Sequence, residues 1–388
     1  MPLDRVRSRD SDESHIKSAK PPYRFARCAI HPRTGRVAGY FDLSRDGDGE
    51  RLRYWGLPEF ATPEELAEWL ELGVGRVAWL AQRVSWGKRT EPSRQTHYGH
   101  RFIDKRRGGW RLIEAPKPVL KAVQTRILQE LLNRVPAHRA AHGFVRGRSM
   151  VTNARQHVGR KIIVKLDLRN FYTTIRYRRV VAVFRTMGYS REAAIWLARL
   201  TTTSVPDWLV PPDGDEATFR LYRVRHLPQG APTSPALANL SAFALDVRLD
   251  GMARAFGATY TRYADDLTFS GPRRLLSGLP TFLPLIEQII SAERFVLHRS
   301  KRKVVRHSQR QEVTGVVVNE HPAVRRKDFD RLKAILHNCV RHGPSTQNRD
   351  GLPDFRAHLA GRIAHVSQID AKKGARLRRL FEQINWHR

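Results

Sequence analysis

The spacing of apolar residues predicts helices over much of the chain. One helix is expected to begin at Thr62, because a threonine followed by a proline and two glutamates is a typical helix start. Apolar stripes at helical spacing follow after residue 117, between residues 180 and 200, and from Phe282 to Ile290. Near the C-terminus, three more helical patterns predict a packed bundle over residues 326–341, 354–365 and 370–384.

Short runs rich in β-branched and aromatic residues predict strands between these helices. Residues 98–116 are interpreted as strand, turn and strand, and Ile162 to Leu166 as a buried strand that ends at Asp167. Residues 260–269 predict a hairpin with two aspartates at its turn. A small hairpin is also expected within residues 21–55. Helices combined with hairpins indicate an α+β fold.

Three aspartates are candidates for chemistry. Asp265 and Asp266 are adjacent on the predicted turn, but aspartate favours turns for local hydrogen-bonding reasons, so the pair alone indicates nothing. Asp167 changes this interpretation, since three carboxylates are a suitable ligand set for two Mg²⁺ ions about 4 Å apart. For Asp167 alone, a role as a cap of the following turn remains open.

The segment from Leu227 to Leu240 lies between the first aspartate and the other two. Ser234 is predicted to cap a helix whose first residue is Pro235. The turn at Gly230 lets the backbone approach a ligand closely, and Gln229 presents an amide that both donates and accepts hydrogen bonds. Local chemistry does not distinguish a ligand-binding loop from a plain entry into a helix.

Composition points to a polyanionic partner. The chain has 70 Lys and Arg against 37 Asp and Glu, a formal net charge of +33, so binding to such a partner is expected to depend strongly on salt. No apolar stretch long enough to span a bilayer and no signal peptide is recognised, which predicts a cytoplasmic protein without a membrane partner. The polar residues 1–20 predict a disordered tail. Cys28 and Cys339 are interpreted as ordinary thiols.

Several motifs occur in the order and approximate spacing found in reverse transcriptases, which they resemble. These motifs are Asp167 to Tyr172, Leu-Pro-Gln-Gly at 227–230, and Tyr-Ala-Asp-Asp at 263–266. Four further segments are similar to those of bacterial retron reverse transcriptases: Gly143-Phe144 with Ser149, Asn153 to His157, Leu227 to Leu240, and Val313 to Gly315. The resemblance covers roughly residues 55–388.

This resemblance implies a right-hand polymerase with fingers, a palm built from an antiparallel sheet packed on helices, a helical thumb and an N-terminal extension. The expected divisions are a basic tail (1–20), a small extension (21–55), an N-terminal helical region (56–97), fingers (98–160), palm (161–318) and RNA-binding thumb (319–388). An insertion is expected within residues 178–220, where the residues from Thr202 to Thr218, rich in Pro, Asp and Gly, predict a loop.

The resemblance also implies an RNA-directed DNA polymerase that uses dNTPs and two Mg²⁺ ions for phosphoryl transfer. Asp167, Asp265 and Asp266 are then the catalytic metal ligands, with the Leu168 carbonyl as an additional ligand. The implied dNTP-binding residues are Lys105, Arg111, Phe171, Tyr172, Gln229, Gly230 and Lys301, of which Tyr172 is a gate against the ribose 2′-OH. The implied RNA or primer contacts are Asn153, His157, Thr314, Gly315, Arg325, Arg326 and Lys327. A purely structural His157 and solvated surface roles for Lys105 and Lys301 remain open.

The implied partner is a cognate structured noncoding RNA that serves as template and primer. DNA synthesis would start from a 2′-OH of an internal guanosine and give branched, RNA-linked single-stranded DNA (msDNA). A separate effector protein and a role in antiphage defence are also implied. Four alternatives remain open: a group II intron or diversity-generating reverse transcriptase, a template-independent polymerase of the abortive-infection type, an RNA-binding scaffold that restrains an effector, and a two-metal nuclease, which would leave Leu227 to Leu240 unexplained.

Overall fold

The computed structural model describes residues 41–82, 96–105 and 108–386, together with the backbone of three strands nearer the N-terminus. Of the tail predicted for residues 1–20, only the strand Ile16–Lys17 is described, so the predicted disorder lies outside the described residues. The described chain forms two compact units. The first comprises residues 1–136 and 172–241, and the second comprises residues 137–171 and 242–388.

Both units contain helices and strands. The strands are β1 (Ile16–Lys17), β2 (Arg27–Ile30), β3 (Val37–Phe41), β4 (Tyr98–Asp104), β5 (Trp110–Pro116), β6 (Ile162–Asp167), β7 (Thr259–Tyr263), β8 (Asp266–Gly271), β9 (Lys303–Arg306), β10 (Glu312–Val313) and β11 (Val316–Val317). The α-helices are α1 (Gly49–Tyr54), α2 (Pro63–Trp69), α3 (Val74–Leu80), α4 (Pro118–Glu130), α5 (Met150–Arg155), α6 (Phe171–Thr174), α7 (Tyr177–Thr186), α8 (Arg191–Thr201), α9 (Glu216–Arg223), α10 (Ser234–Ser241), α11 (Phe243–Ala255), α12 (Arg274–Ala292), α13 (Arg326–His342), α14 (Phe355–Ile369) and α15 (Ala371–Glu382).

The first unit contains two antiparallel sheets. β1, β3 and β2 pair in that order, and β2 with β3 forms the hairpin predicted near the N-terminus. β4 and β5 form the hairpin predicted for residues 98–116, with Ile103 opposite Arg111. Burial alternates along β5, so that Leu112 and Glu114 are buried while Arg111 is exposed. The exposed face of β5 therefore carries one predicted nucleotide-binding residue.

The helix predicted at Thr62 is present and begins as the sequence indicates. The Thr62 hydroxyl accepts a hydrogen bond from the Glu65 backbone N–H at 3.3 Å, and Pro63 is the first helical residue. The helical stripe after residue 117 is also confirmed by α4, whose Leu120 and Ile127 are buried. Local capping and periodicity were sufficient signals for both helices.

Two predictions in the first unit were wrong in detail. Ser234 does not cap α10 but is its first residue, and its buried hydroxyl, like that of Thr233, has no hydrogen-bond partner among the described residues. The backbone carbonyl of Thr233 instead accepts from the Leu237 N–H. The loop predicted to end at Thr218 is also shorter, because the Asp215 carboxylate accepts from the Thr218 N–H and starts α9.

The second unit is built on a four-stranded antiparallel sheet with the order β7-β8-β6-β9. On one face, the Phe269 ring of β8 packs edge-on against the Phe282 ring of α12, with ring centroids 5.3 Å apart. The Phe256 ring lies 5.0 Å from that of Phe282. α13, α14 and α15 form the predicted helical bundle, whose core includes Leu332, Leu336, Leu359, Ile363 and Leu377.

Helix α12 corrects the expectation that no segment is long and apolar enough to span a bilayer. Within the described part of the chain, α12 is the helix that meets that length and composition, since its 19 residues include few charged side chains. Pro280 and Pro284 both lie inside this helix. Its buried residues include Phe282, Ile286 and Ile290, in keeping with the predicted amphipathic helix that packs on the sheet.

Candidate active site

The second unit brings the three predicted catalytic aspartates to one end of its sheet. β6 pairs with β8 so that Asp167 lies directly opposite Asp266, the first residue of β8. Asp265 occupies the two-residue turn between β7 and β8, and its carbonyl accepts a hydrogen bond from the Leu168 N–H at 2.9 Å. The hairpin interpretation of residues 260–269 is therefore confirmed, except that Asp266 lies in β8 and not in the turn. Asp167 and Asp266, which are 99 residues apart in the chain, become neighbours through strand pairing.

The environment of these carboxylates disfavours negative charge. Burial, together with the charges of Asp167 and Asp266, raises the pKa of Asp265 from 3.8 to about 6. Burial also raises the pKa of Asp266, with Asp167 adding to the effect and Lys165 opposing it. A group of acids that repel one another in this way is stabilised by bound cations.

Lys301 contributes one positive charge to this group. Its Nζ donates to both carboxylate oxygens of Asp167, at 2.8 and 2.9 Å, from a short 3₁₀ turn over Arg299–Lys301. Sequence reasoning gave Lys301 a nucleotide role and did not predict this contact. The lysine side chain is 43% exposed, so it has room to exchange partners.

The carboxylate group fits divalent cations that substrate also ligates. Among the described residues, no three His, Cys, Asp or Glu side chains already surround one point as a complete metal centre. Mg²⁺ is commonly held by one or two carboxylates together with substrate phosphates and water, so a complete cage of side chains is not needed. The oxygen donors and the raised pKa of Asp265 suit such ions.

A buried ion pair stabilises the catalytic hairpin, which consists of β7, β8 and the turn with Asp265. Arg262 of β7 and Asp246 of α11 are both fully buried, and the guanidinium bonds the two carboxylate oxygens at 2.8 and 2.6 Å. The same guanidinium donates to the Ala264 carbonyl at 3.2 Å, and the Tyr260 hydroxyl donates to Asp246 at 2.8 Å. Ala264 has a φ of +57°, a conformation that a residue with a side chain rarely adopts. The ion pair therefore fixes the strained turn that carries Asp265.

Two predicted RNA contacts lie in the interior instead. His157 is fully buried, and its ring nitrogens lie 2.7 Å from the hydroxyls of Ser270 and Thr261 on the hairpin strands. Asn153 is 1% exposed. Neither side chain reaches the surface, so direct contact with RNA is contradicted for both, and the structural interpretation of His157 holds. Their spacing on and after α5 gave no signal of burial, because polar residues are usually exposed.

The other predicted RNA contacts of the second unit are nearer the surface. Thr314 and Gly315 form the tight turn between β10 and β11, both with positive φ, and the Thr314 hydroxyl donates to the Met150 carbonyl at 2.9 Å. Arg325, Arg326 and Lys327 stand at the start of α13 and line a surface pocket of about 740 Å³. Arg310 and Asp330 also line this pocket, so its cations outnumber its acidic groups.

The first unit brings together part of the predicted nucleotide set. Glu114 of β5 donates its backbone N–H to the Gln229 carbonyl at 2.9 Å. Gly230 has a φ of +135°, and a Cβ there would lie 3.1 Å from the Glu114 carbonyl, so this close approach requires glycine. Arg111 and Lys105 are exposed on the neighbouring hairpin, and Tyr172 is half-buried.

Phe171 does not fit a direct nucleotide role. Its side chain is 4% exposed, its ring lies 5.7 Å from that of Phe295, and the Arg262 guanidinium stands over it at 5.7 Å. It is a packing residue of the second unit. Sequence reasoning also missed a fully buried pair in the first unit, His226 with Glu114 at 2.9 Å, because the partners are distant in the chain.

Comparisons with known proteins agree on one family. A protein-family model described as reverse transcriptase (RNA-dependent DNA polymerase) matches residues 103–318. The chain is 38% identical over 363 residues to the retron Mx162 reverse transcriptase of Myxococcus xanthus, a match that covers 89% of this chain and 71% of the relative. The retron Mx65 reverse transcriptase of Myxococcus xanthus is 38% identical over 333 residues, covering 86% of this chain and 74% of that protein. The retron Ec86 reverse transcriptase of Escherichia coli is 29% identical over 268 residues, covering 69% and 74%.

Proposed function

Since the chain belongs to the retron reverse transcriptases, we propose that it copies part of a cognate structured noncoding RNA into branched, RNA-linked single-stranded DNA. It is an RNA-directed DNA polymerase with a right-hand polymerase fold, and its family uses divalent metal ions and dNTPs. The observation that carries the proposal is the convergence of Asp167, Asp265 and Asp266 at one end of the antiparallel sheet.

The proposed metal ligands are these three carboxylates with the Leu168 carbonyl. Two Mg²⁺ ions bound there would lower the pKa of the primer hydroxyl and neutralise the triphosphate. The strained backbone of Ala264, bonded by Arg262, fixes the position of the neighbouring Asp265, so that its carboxylate is preorganised to bind a metal ion. Lys301 is proposed to leave Asp167 when substrate binds and to stabilise the departing pyrophosphate.

The proposed dNTP contacts are Arg111, Lys105, Gln229, Gly230 and Tyr172. Arg111 supports this role because it is exposed on β5, the strand to which the Gln229 backbone bonds. A planar guanidinium binds phosphate oxygens in pairs. Tyr172 is proposed to exclude a ribose 2′-OH by steric contact.

We further propose that residues 98–160 act as fingers, 161–318 as palm and 319–388 as thumb. The RNA contacts proposed for the thumb are Arg325, Arg326 and Lys327, which line the basic pocket, and the turn at Thr314–Gly315 adds a further contact. Basic helices bind phosphates and fix the position of a duplex without reading much sequence. A separate effector protein and a role in antiphage defence in the cytoplasm complete the proposal.

The test is expression of the chain with the DNA directly upstream of its gene, followed by extraction of nucleic acid. A short RNase-resistant DNA whose mobility changes after debranching is expected. It should disappear in the Asp265→Asn/Asp266→Asn double variant and persist in the control Glu50→Gln/Glu68→Gln, which removes two acidic charges from exposed positions on α1 and α2. Extension of an added RNA template without a branched product would support a reverse transcriptase of another lineage. A homopolymer made without template would indicate the abortive-infection type, and inactivity in both assays would favour the RNA-binding scaffold.

A further inference from the structure

An exposed aromatic side chain lies beside the turn that carries Asp265. Phe144 is 59% exposed, and its ring centroid lies 6.3 Å from that of Tyr263, the last residue of β7. Single apolar residues on a surface are common and need no explanation by themselves. The position and backbone of Phe144, however, distinguish it from the other exposed apolar residues.

The backbone of Phe144 is strained. Its φ is +59°, in the left-handed region, where a side chain approaches the following carbonyl and costs about 1–2 kcal/mol. Burial of the ring does not offset this strain, because most of the ring faces solvent. Strained residues that packing does not explain tend to occur at functional sites.

The segment around Phe144 is fixed to the catalytic hairpin. A Cβ on Gly143 would lie 2.8 Å from the Ala264 nitrogen, so only glycine allows the two backbones to approach this closely. The His142 N–H donates to the Arg262 carbonyl, and the Arg262 N–H donates to the Ala140 carbonyl, both at 2.7 Å. Phe144 is thus held in a set position next to the residues that bracket Asp265.

Arg148 makes the same segment rigid from the other side. Its guanidinium donates to the carbonyls of His138, Arg139 and Ala141 at 3.1, 2.7 and 2.5 Å. Between Phe144 and Arg148, the chain exposes Arg146 in a turn closed by the Arg148 N–H and the Val145 carbonyl at 3.0 Å. An exposed aromatic face beside an exposed cation is the combination by which proteins bind unpaired nucleotides, stacking on the base and pairing with the phosphate.

We propose that Phe144 is a stacking surface for an unpaired template nucleobase next to the primer terminus. The proposal rests on the RNA-templated activity proposed above, and it adds a residue that contacts the template and fixes its position beside the catalytic hairpin. The ring stacks on the base whatever its identity, because every nucleobase has a π face. The strain at φ +59° is retained because it directs the ring away from the protein.

The experiment uses the full chain and a synthetic RNA template with an annealed DNA primer and 2-aminopurine at the first unpaired template position. Phe144→Leu is expected to weaken binding roughly tenfold and to remove the change in 2-aminopurine fluorescence that stacking causes. Phe144→Trp is expected to retain both. Phe243→Leu, which removes a ring that is 44% exposed on α11, is the matched control and is expected to bind like the wild type.

Phe144→Gly separates binding from folding. Glycine relieves the strain at positive φ, so the melting temperature is expected to equal or exceed that of the wild type while binding of the primer–template weakens. A fall in the melting temperature together with lost binding in both Phe144→Leu and Phe144→Trp would show a structural role and overturn the proposal.

Two other results would also overturn it. Unchanged primer–template affinity and fluorescence in Phe144→Leu would show that the ring does not stack on the template. Loss of binding to a protein partner in the same variant would show that Phe144 docks that protein instead. A wild type that neither binds nor extends any primed RNA would instead contradict the proposed polymerase function. That failure differs from the others because it occurs without a substitution at Phe144.

Discussion

When no cation is bound, the negative charge of Asp265 lowers the stability of the folded state. Its pKa is about 6 in the folded protein and 3.8 as the ordinary value, with burial as the main cause. The folded state therefore binds the proton more tightly, and the stability gained by that binding is present at low pH and lost as the pH rises through 6. Asparagine carries no charge, so Asp265→Asn should stabilise the metal-free protein above pH 6 by about 1 kcal/mol, after allowing for its partial exposure.

The measurement is urea unfolding in EDTA between pH 4 and 8, with primer extension measured separately, in Mg²⁺ and without urea, on the same protein preparations. Asp265→Asn should lose extension while gaining stability, and the gain should vanish near pH 4. Asp350→Asn, in the exposed turn before α14, is the control and should change neither property. A variant that is less stable than the wild type at pH 8 would contradict this account of the site.

His157 has the opposite dependence on pH. Burial lowers its pKa from 6.5 to about 3, and the nearby His142 and Arg160 add to the effect. The unfolded chain takes up the proton first, so this contribution to stability is intact above pH 6.5 and is lost as the pH falls toward 3, at about 1.4 kcal/mol per pH unit. His157→Gln keeps a donor and an acceptor but does not titrate.

Unfolding of His157→Gln between pH 3 and 7 checks this prediction. The free energy of unfolding of the variant should fall less steeply with acid than that of the wild type, although the variant is less stable at neutral pH. His142 also has a lowered pKa, of about 4, and it remains in both proteins. Its own titration is therefore present in both curves, and equal slopes would show that folding does not lower the pKa of His157.

At the level of elements, the hairpin of β7 and β8 depends on α11. Asp246→Asn leaves the Arg262 guanidinium buried without its partner charge, which typically costs about 3–5 kcal/mol. Because Arg262 also bonds the Ala264 carbonyl, the turn with Asp265 should move, and the Mg²⁺ concentration needed for half-maximal extension should rise about tenfold.

A second aspartate on the same helix provides a matched control. Asp250 lies one turn further along α11 and pairs with Arg139, whose side chain is 63% exposed. Asp250→Asn should leave the Mg²⁺ requirement near that of the wild type. Both variants are assayed at a temperature where circular dichroism shows the folded state. An unchanged Mg²⁺ requirement in folded Asp246→Asn would mean that the ion pair does not position the hairpin.

The sequence predicted elements well where the signal is local. The hairpin with Asp265 follows from β-rich runs around a two-residue turn, and α2 follows from Thr62 and Pro63. The ion pair of Arg262 with Asp246 was not predicted, because strand and helix meet only after folding. The same holds for Lys301 with Asp167, which are 134 positions apart. The local sequence around polar residues that become buried, such as His157, does not differ from the sequence around those that reach the surface.

For the whole molecule, composition predicted the sign of the partner's charge but not the place where the partner binds. A net charge of +33 indicates a polyanion, and family resemblance added RNA and a polymerase fold. The pocket beside Arg325, Arg326 and Lys327 emerged only from the folded chain, because Arg310 reaches it from the segment that precedes β10. So many cations are spread along the chain that no sequence pattern distinguishes the ones that face RNA.

Salt dependence can make that distinction. The logarithm of the RNA affinity should fall linearly with the logarithm of salt concentration, with a slope set by the number of phosphates neutralised. If the pocket binds RNA phosphates, Arg326→Gln/Lys327→Gln should reduce that slope by about 1.4–1.8, because each lost cation releases about 0.7–0.9 fewer counterions. Arg51→Gln/Arg53→Gln on α1 makes the same change in net charge away from the pocket, and both arginines pair with acids there, as Arg326 pairs with Asp330. An equal reduction in both double variants would mean that RNA responds to total charge, whereas a reduction confined to the α13 variant assigns the phosphate contacts to the pocket.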